Sequence, residues 1–142
     1  MDKKVLVQRL DRLTSVLVRM LEDRCATCGK KLLWKQRQAG HFVPRVVQKT
    51  RWDLGNVHVQ CNKCNVELGG NIENYREFIA SKLGEQTLSM YDFIYDAYKH
   101  GKLKAVTRNE MLEKYDEFLA AVRQLEKTPG ELIPEDWQKY KK

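Results

Sequence analysis

Cys25-Ala26-Thr27-Cys28 and Cys61-Asn62-Lys63-Cys64 contain all four cysteines of the chain, and how they are read decides the fold. Two C-x-x-C knuckles supply four thiolates, the shell of a closed structural zinc site, and Gly29 after the first knuckle suits a tight turn. The competing assignment is a pair of disulfides, which needs an oxidising compartment. The start Met1-Asp2-Lys3-Lys4-Val5-Leu6 mixes charge with apolar residues and does not form a secretory leader. The expectation is therefore a cytoplasmic chain stapled by Zn²⁺. A shell of four sulfurs leaves no open position, so this metal folds the protein and performs no chemistry.

The interval between the knuckles, Gly29 to Gln60, is 32 residues long, more than a simple zinc ribbon needs. Within it Gly40-His41-Phe42-Val43-Pro44-Arg45 reads as extended, and Asn56-Val57-His58-Val59-Gln60-Cys61 alternates like a strand entering the second knuckle. Gln48 to Gly55 reads as a polar turn. After Cys64, Gly69-Gly70 breaks the chain; Asn71 is placed to cap a helix carrying Tyr75, Phe78, Ile79 and Leu83, and Gly84 ends it. The order is strand, loop, strand, helix around a metal.

Charge is concentrated in the same region. Between residues 24 and 66 there are nine lysines and arginines against the single acid Asp53, and the rest of the chain is close to neutral although the total is +7. A basic block confined to one segment is either a solvated face or a surface for a polyanion, and its coincidence with the knuckles favours the polyanion. Lys35, Arg37, Arg45 and Arg51 flank His41 as candidate phosphate contacts, with Arg76 added from the following helix. Trp34 and Trp52 lie among them, either to stack on an exposed base or to pack in the core. A content of 42% hydrophobic and 9% aromatic residues excludes disorder of the whole chain. No apolar run approaches the roughly 18 to 20 residues that cross a bilayer.

Helical stripes flank the centre. Leu6, Leu10, Leu13, Leu17 and Met20 recur at alternating spacings of four and three. Met111, Tyr115, Phe118, Val122 and Leu125 repeat that pattern after the capping box Thr107-Arg108-Asn109-Glu110. Leu88, Tyr91, Ile94, Tyr95 and Tyr98 mark a helix between them that ends near Gly101. The stripes pack on one another, or one of them forms the seam of a homodimer. The expected organisation is one domain over residues 1–128: an N-terminal helix at 1–23, a zinc-bound ββα module at 24–84, C-terminal helices at 85–128, then a turn-rich tail at 129–142 that Trp137 pins to the body.

His41 followed by Pro44, then Asn56, then Cys61-x-x-Cys64-Asn65 resembles the His-Asn-His (HNH) endonuclease motif with zinc knuckles, in the variant whose last histidine is asparagine. The longer string Ala39-Gly40-His41-Phe42, Asn56-Val57-His58-x-Gln60-Cys61-x-x-Cys64-Asn65 and Gly70-Asn71-x-x-x-Tyr75 is similar, more narrowly, to the NinG/Rap recombination proteins of lambdoid phages. The resemblance covers about residues 19 to 83. It implies a zinc-stapled ββα-metal (HNH-like) centre, which with the flanking helical stripes makes the expected fold α+β, mainly helical. It also implies metal-dependent cleavage of branched double-stranded DNA such as Holliday junctions and D-loops, in the cytoplasm of a bacterial host. Carried over by position, His41 is the general base, Asn56 holds its ring or strand in place, and Asn65 approaches a catalytic Mg²⁺ or Mn²⁺.

Two departures qualify this. Gly40 stands where many HNH enzymes place a metal ligand before the base, and Gly69 stands where a second ligand often sits. With His41, His58 and His100 as the only histidines, a mostly histidine-ligated catalytic metal is impossible, so the ion must use amide or carboxylate oxygens, water and substrate phosphate. His58 is the next candidate ligand, or it orients His41 or touches phosphate; Asn71 and Glu67 stand behind it. The other class of function is a zinc-stabilised module that binds DNA junctions without cutting them, and a third is a protein-interaction adaptor.

Overall fold

Helix α1 spans Lys3–Leu21 and begins where the Asp2 carboxylate accepts the Val5 amide at 2.9 Å, the service a short acidic side chain gives a helix start. Its Leu6, Leu10, Leu13 and Leu17 are buried against Met111, Tyr115, Phe118 and Val122 of α5, Arg108–Glu126. The expected capping box starts α5: the Thr107 hydroxyl accepts the Glu110 amide at 3.1 Å, and the Thr107 amide donates to the Glu110 carboxylate at 3.3 Å. Arg108 donates to the Met1 carbonyl at 2.8 Å, which sets the starts of α1 and α5 side by side. The two heptad-like stripes thus bury each other within one chain.

The computed structural model describes residues 1–127; the proposed tail at 129–142, with Trp137, lies outside the described residues. Two strands, β1 Gln38–His41 and β2 Val57–Gln60, pair antiparallel with Gly40 opposite His58 and His41 opposite Val57. Strand β1 lies earlier than the extended reading of residues 40 to 45, because Pro44 has no amide to donate and the chain turns there, the Val47 amide closing on the Pro44 carbonyl at 2.9 Å. A short helix α2, Gln48–Arg51, occupies the stretch read as a polar turn.

After β2 a π-helical turn, Lys63–Glu67, carries the second knuckle, and α3, Ile72–Leu83, follows. Gly84, at φ 100°, separates α3 from α4, Glu85–Lys99. Tyr75, Ile79 and Tyr91 of this helix pair form a second core with Phe42, Val43 and Val47 of the loop after β1. A third core of Val18, Leu32, Val57 and Val59 surrounds Cys25 and Cys64 and joins the end of α1 to the knuckles. The molecule is thus a mainly helical α+β fold with one small sheet. Among the described residues, no helix is long and apolar enough to cross a membrane.

Candidate metal centre and basic cavity

The first knuckle is a tight hairpin in which the Cys25 amide donates to the Lys30 carbonyl at 2.9 Å and the Gly29 amide to the Cys25 carbonyl at 2.8 Å, with Gly29 at φ 78°. It meets the second knuckle so that the four cysteine sulfurs lie within 4.8 Å of one another. Cys28 and Cys61 Sγ are 3.9 Å apart. Zinc about 2.3 Å from each of four tetrahedral sulfurs sets them about 3.8 Å apart, so donor set and spacing both fit this ion. Among the described residues, this is the one group of three or more Cys, His, Asp or Glu side chains able to hold a metal ion.

Outer contacts support the sulfurs. The Thr27 hydroxyl lies 3.3 Å from Cys25 Sγ, and the Asn71 side-chain amide donates to Cys64 Sγ at 3.5 Å. Burial pushes the Cys25 thiol up, but hydrogen bonds from Thr27 and the knuckle amides outweigh it and bring it to about 6. Burial, with the charge of Cys25 beside it, pushes Cys28 up to about 12. One ionised sulfur opposes ionisation of its neighbours, and a dication reverses that opposition.

On the other side of the ribbon, β1 delivers His41 to a cavity of about 520 Å³ whose wall includes Asp11, Arg12, Arg19, Arg45 and Arg51. His41 Nε2 lies 2.9 Å from the Arg51 carbonyl oxygen. A carbonyl only accepts, so the ring carries its hydrogen on Nε2 and keeps a lone pair on Nδ1. Among the described residues Nδ1 has no hydrogen-bond partner. Burial holds the His41 pKa below its ordinary value of 6.5; the bond to the Arg51 carbonyl opposes this, and the positive charge of Arg45 reinforces it. At neutral pH the ring is an uncharged base.

Asp11 organises the arginines. Its carboxylate accepts from Arg45 Nη2 at 2.6 Å, from Arg51 Nε and Nη2 at 2.8 and 2.6 Å, and from Trp52 Nε1 at 2.9 Å. Burial pushes its pKa up, and these donors more than offset that, leaving it below the ordinary carboxylate range. A single acid among several arginines leaves the wall strongly positive, and two of the forks are held in place before any ligand arrives.

The other anticipated residues are distributed differently. Asn56, fully buried, accepts the Val43 amide at 2.7 Å and donates to the Val43 and Thr50 carbonyls at 3.1 and 3.2 Å, so it ties the loop after β1 to the turn before β2. His58 is not beside His41. Side chains on paired strands share a face when they are directly opposite, and His58 opposes Gly40. Its Nδ1 meets Glu22 Oε2 at 2.7 Å and its Nε2 meets the Gly55 carbonyl at 2.8 Å, so both nitrogens are already occupied by protein oxygens. Asn65 reaches the His41 side only through Gln38, to whose Oε1 it donates at 2.9 Å.

Arg37, expected to contact phosphate, lines the same cavity as His41 but is 6% exposed and donates to the Leu32 and Arg19 carbonyls at 3.1 and 2.9 Å. Lys35 borders the knuckle cavity, not the His41 cavity. Arg76 forms a two-pronged pair with Asp92 at 2.9 and 2.7 Å, joining α3 to α4. Trp52 is buried in the α1–α5 core, and Trp34 lies under the Arg19 and Arg37 guanidinium groups at 5.0 and 5.6 Å. Asn71 precedes α3 as expected but makes no side-chain cap and sits in the left-handed region at φ 49°.

A family model described as Bacteriophage Lambda NinG protein matches residues 3–128 of this chain. The chain belongs to the NinG family. It is similar to Protein ninG of Escherichia phage 933W, with 32% identity over 65 residues that make up 45% of this chain and 32% of that protein. Protein ninG of Escherichia phage lambda is likewise 32% identical over 65 residues, which are 45% of this chain and 31% of that protein. The aligned segment thus spans about a third of the length of these curated NinG relatives. No solved structure matches the chain.

Two residues around this NinG-family centre carry no motif in the sequence. Asp11 is the one acid within α1, a weak sign that it serves something other than solubility. Glu22 ends α1 and reaches His58 from 36 positions away, with no local signal. Gln60, part of the motif string, fills the space above Gly40.

Proposed function

We propose that this NinG-family chain is a metal-dependent, structure-selective endonuclease of HNH type. It acts in a bacterial host cytoplasm on branched recombination intermediates such as Holliday junctions and D-loops. The observation that carries this reading is His41: a neutral imidazole, hydrogen-bonded through Nε2 to the Arg51 carbonyl, with Nδ1 unpartnered, lining an arginine-rich cavity. The order of two strands, a knuckle and a helix around a zinc-type cluster supports the same reading.

In this mechanism Arg45 and Arg51 draw the phosphodiester into the cavity, with Asp11 fixing their directions. Nδ1 of His41 takes a proton from the attacking water, while the Arg51 carbonyl keeps the ring in the required tautomer and steadies the imidazolium that forms. A divalent cation such as Mg²⁺ or Mn²⁺, if held beside His41, would supply charge stabilisation at the phosphate. Of the amides, Gln38 lines the cavity and would be its candidate ligand, with water and the substrate phosphate, and Asn65 would steady Gln38.

A second reading, a junction-binding protein that does not cut, is favoured by one observation. Among the described residues Asp11 is the sole carboxylate on the cavity wall, and it already accepts from two arginines and Trp52, so the wall offers a catalytic cation little charge of its own. Incubating zinc-loaded protein with a synthetic four-way junction and Mg²⁺ or Mn²⁺ separates the two. The endonuclease incises the junction, and His41→Ala binds it without cutting. Binding of the junction by the unaltered chain with no incision under either ion establishes the second reading, and equal binding of junction and linear duplex removes structure selectivity from both.

A further inference from the structure

The knuckles have a cavity of their own, of about 550 Å³, and Gln38 lines both it and the His41 cavity. Lys30, Lys35 and Lys63 border it, Leu68 gives it apolar surface above the buried Leu32, and among the described residues no acid lines it. Cys28, Cys61 and Cys64 of the sulfur cluster also line it, so an ion held there shares this space. The wall between the two cavities is a fixed row of amides: Gln38 Nε2 donates to Asn62 Oδ1 at 3.1 Å, and Gln38 Oε1 accepts from Asn65 at 2.9 Å. Leu68 is left 51% exposed, uncommitted apolar surface beside a basic rim.

We propose that this cavity takes an unpaired nucleotide of the DNA strand whose neighbouring phosphate lies at His41. The inference rests on the nucleic-acid reading of the His41 cavity and gives it a substrate feature, an unpaired base at the branch. A base has apolar faces and a polar edge. Leu68 matches a face, and the side-chain NH2 groups of Gln36 and Asn62, whose oxygens already accept from the Leu33 amide and from Gln38, donate to acceptors on any base edge without selecting one. The three lysines meet the flanking phosphates as point charges. The volume falls within the range of about 300 to 1,000 Å³ that holds small ligands. In an intact duplex the base must first be unpaired and unstacked, which costs a few kcal/mol and favours sites where it is already free. The cavity thereby accounts for structure selectivity without sequence reading.

The test is fluorescence anisotropy on zinc-loaded protein without added Mg²⁺ or Mn²⁺. It compares a labelled blunt duplex with the same duplex carrying a short unpaired thymidine tail. The tail is expected to raise affinity about tenfold. Leu68→Gln and Lys63→Gln, checked for retained zinc by metal analysis, remove most of that preference while blunt-duplex affinity stays within about twofold. His41→Ala keeps the preference. Leu68→Trp, which adds a stacking face, enlarges it. Tight but equal binding of both duplexes, or a preference that survives both Leu68→Gln and Lys63→Gln, overturns the proposal and leaves the His41 reading intact. No binding of either duplex at low salt overturns both.

Discussion

His41 and His58 stand on paired strands one register step apart, yet their side chains leave the ribbon on opposite faces. His58 is 6% exposed, both of its nitrogens are matched by oxygens, and Phe78 lies edge-on to it at 4.9 Å. Glu22 accepts from His58 and also from the Val59 amide at 2.8 Å, so this pair bolts the end of α1 to β2. His41 has one nitrogen satisfied and one open, beside a cavity whose wall carries five arginines and one acid. The same side chain is a rivet on one face and a base on the other. The difference lies in the number of acceptors within reach, because a ring with both nitrogens bonded has nothing left to give a substrate.

The strongest way to break the comparison is to remove what holds both faces together. A chelator that strips zinc, or Cys64→Ser, is expected to unfold the knuckles and the ribbon between them, since structural zinc sites contribute about 10 to 16 kcal/mol of apparent binding energy to folding. Circular dichroism with metal analysis checks this, and an intact metal-free fold counts against the zinc assignment.

His41→Ala comes next. Under the nuclease reading it lowers junction incision by about 10² to 10⁴-fold and leaves the melting temperature nearly unchanged. Because the His41 pKa lies below 6.5, the acid limb of the kcat/KM profile should fall below that pH. The sign for stability is the same: the unfolded ring binds a proton at a higher pH than the folded one, so His41 costs stability as pH drops through 6.5 and costs nothing above it. An acid limb above 6.5, or a variant that still cuts, removes His41 from the role of base.

His58→Ala should do the reverse, lowering stability by about 2 to 3 kcal/mol through the loss of charge-assisted hydrogen bonds at a buried site while junction affinity per folded molecule holds. Denaturant titration beside a binding curve reads both, and a large loss of incision with unchanged stability would restore His58 to the site. The smallest effect is sought at Gly40, opposite His58. A Cβ there would overlap the Gln60 side-chain amide, which is fully buried and donates to the Gly70 carbonyl at 2.8 Å. Gly40→Ala should therefore cost about 1 to 3 kcal/mol by overpacking, and a neutral thermal melt would show that Gln60 moves aside freely.

Much of the frame was legible because its signals are local. The Thr107–Glu110 box, the stripes of α1 and α5, the break at Gly84 and the paired C-x-x-C units each depend on residues within a few positions of one another. The site was legible only in part. His41, Arg37, Arg45 and Arg51 do share a cavity, but Arg37 is held in its wall by carbonyls at Leu32 and Arg19, and Arg76 is claimed by Asp92 on the next helix. A basic residue in a basic segment does not announce which acceptor will reach it first. Tyr75 is a similar case: its hydroxyl donates to the Gly40 carbonyl at 2.6 Å and accepts the His58 amide at 3.0 Å, locking both strands to α3.

By itself the order of residues determined a helical chain gathered around a four-thiol cluster and carrying its positive charge in one segment, because periodicity, caps and ligand spacing act over short distances. Only the tertiary structure decided which histidine keeps a free nitrogen. That choice depends on a carbonyl at Arg51, a carboxylate at Glu22 and an acid at Asp11, brought in from separate elements. Hydrogen-bond partners are assigned by proximity in the folded chain, and no local pattern encodes that proximity.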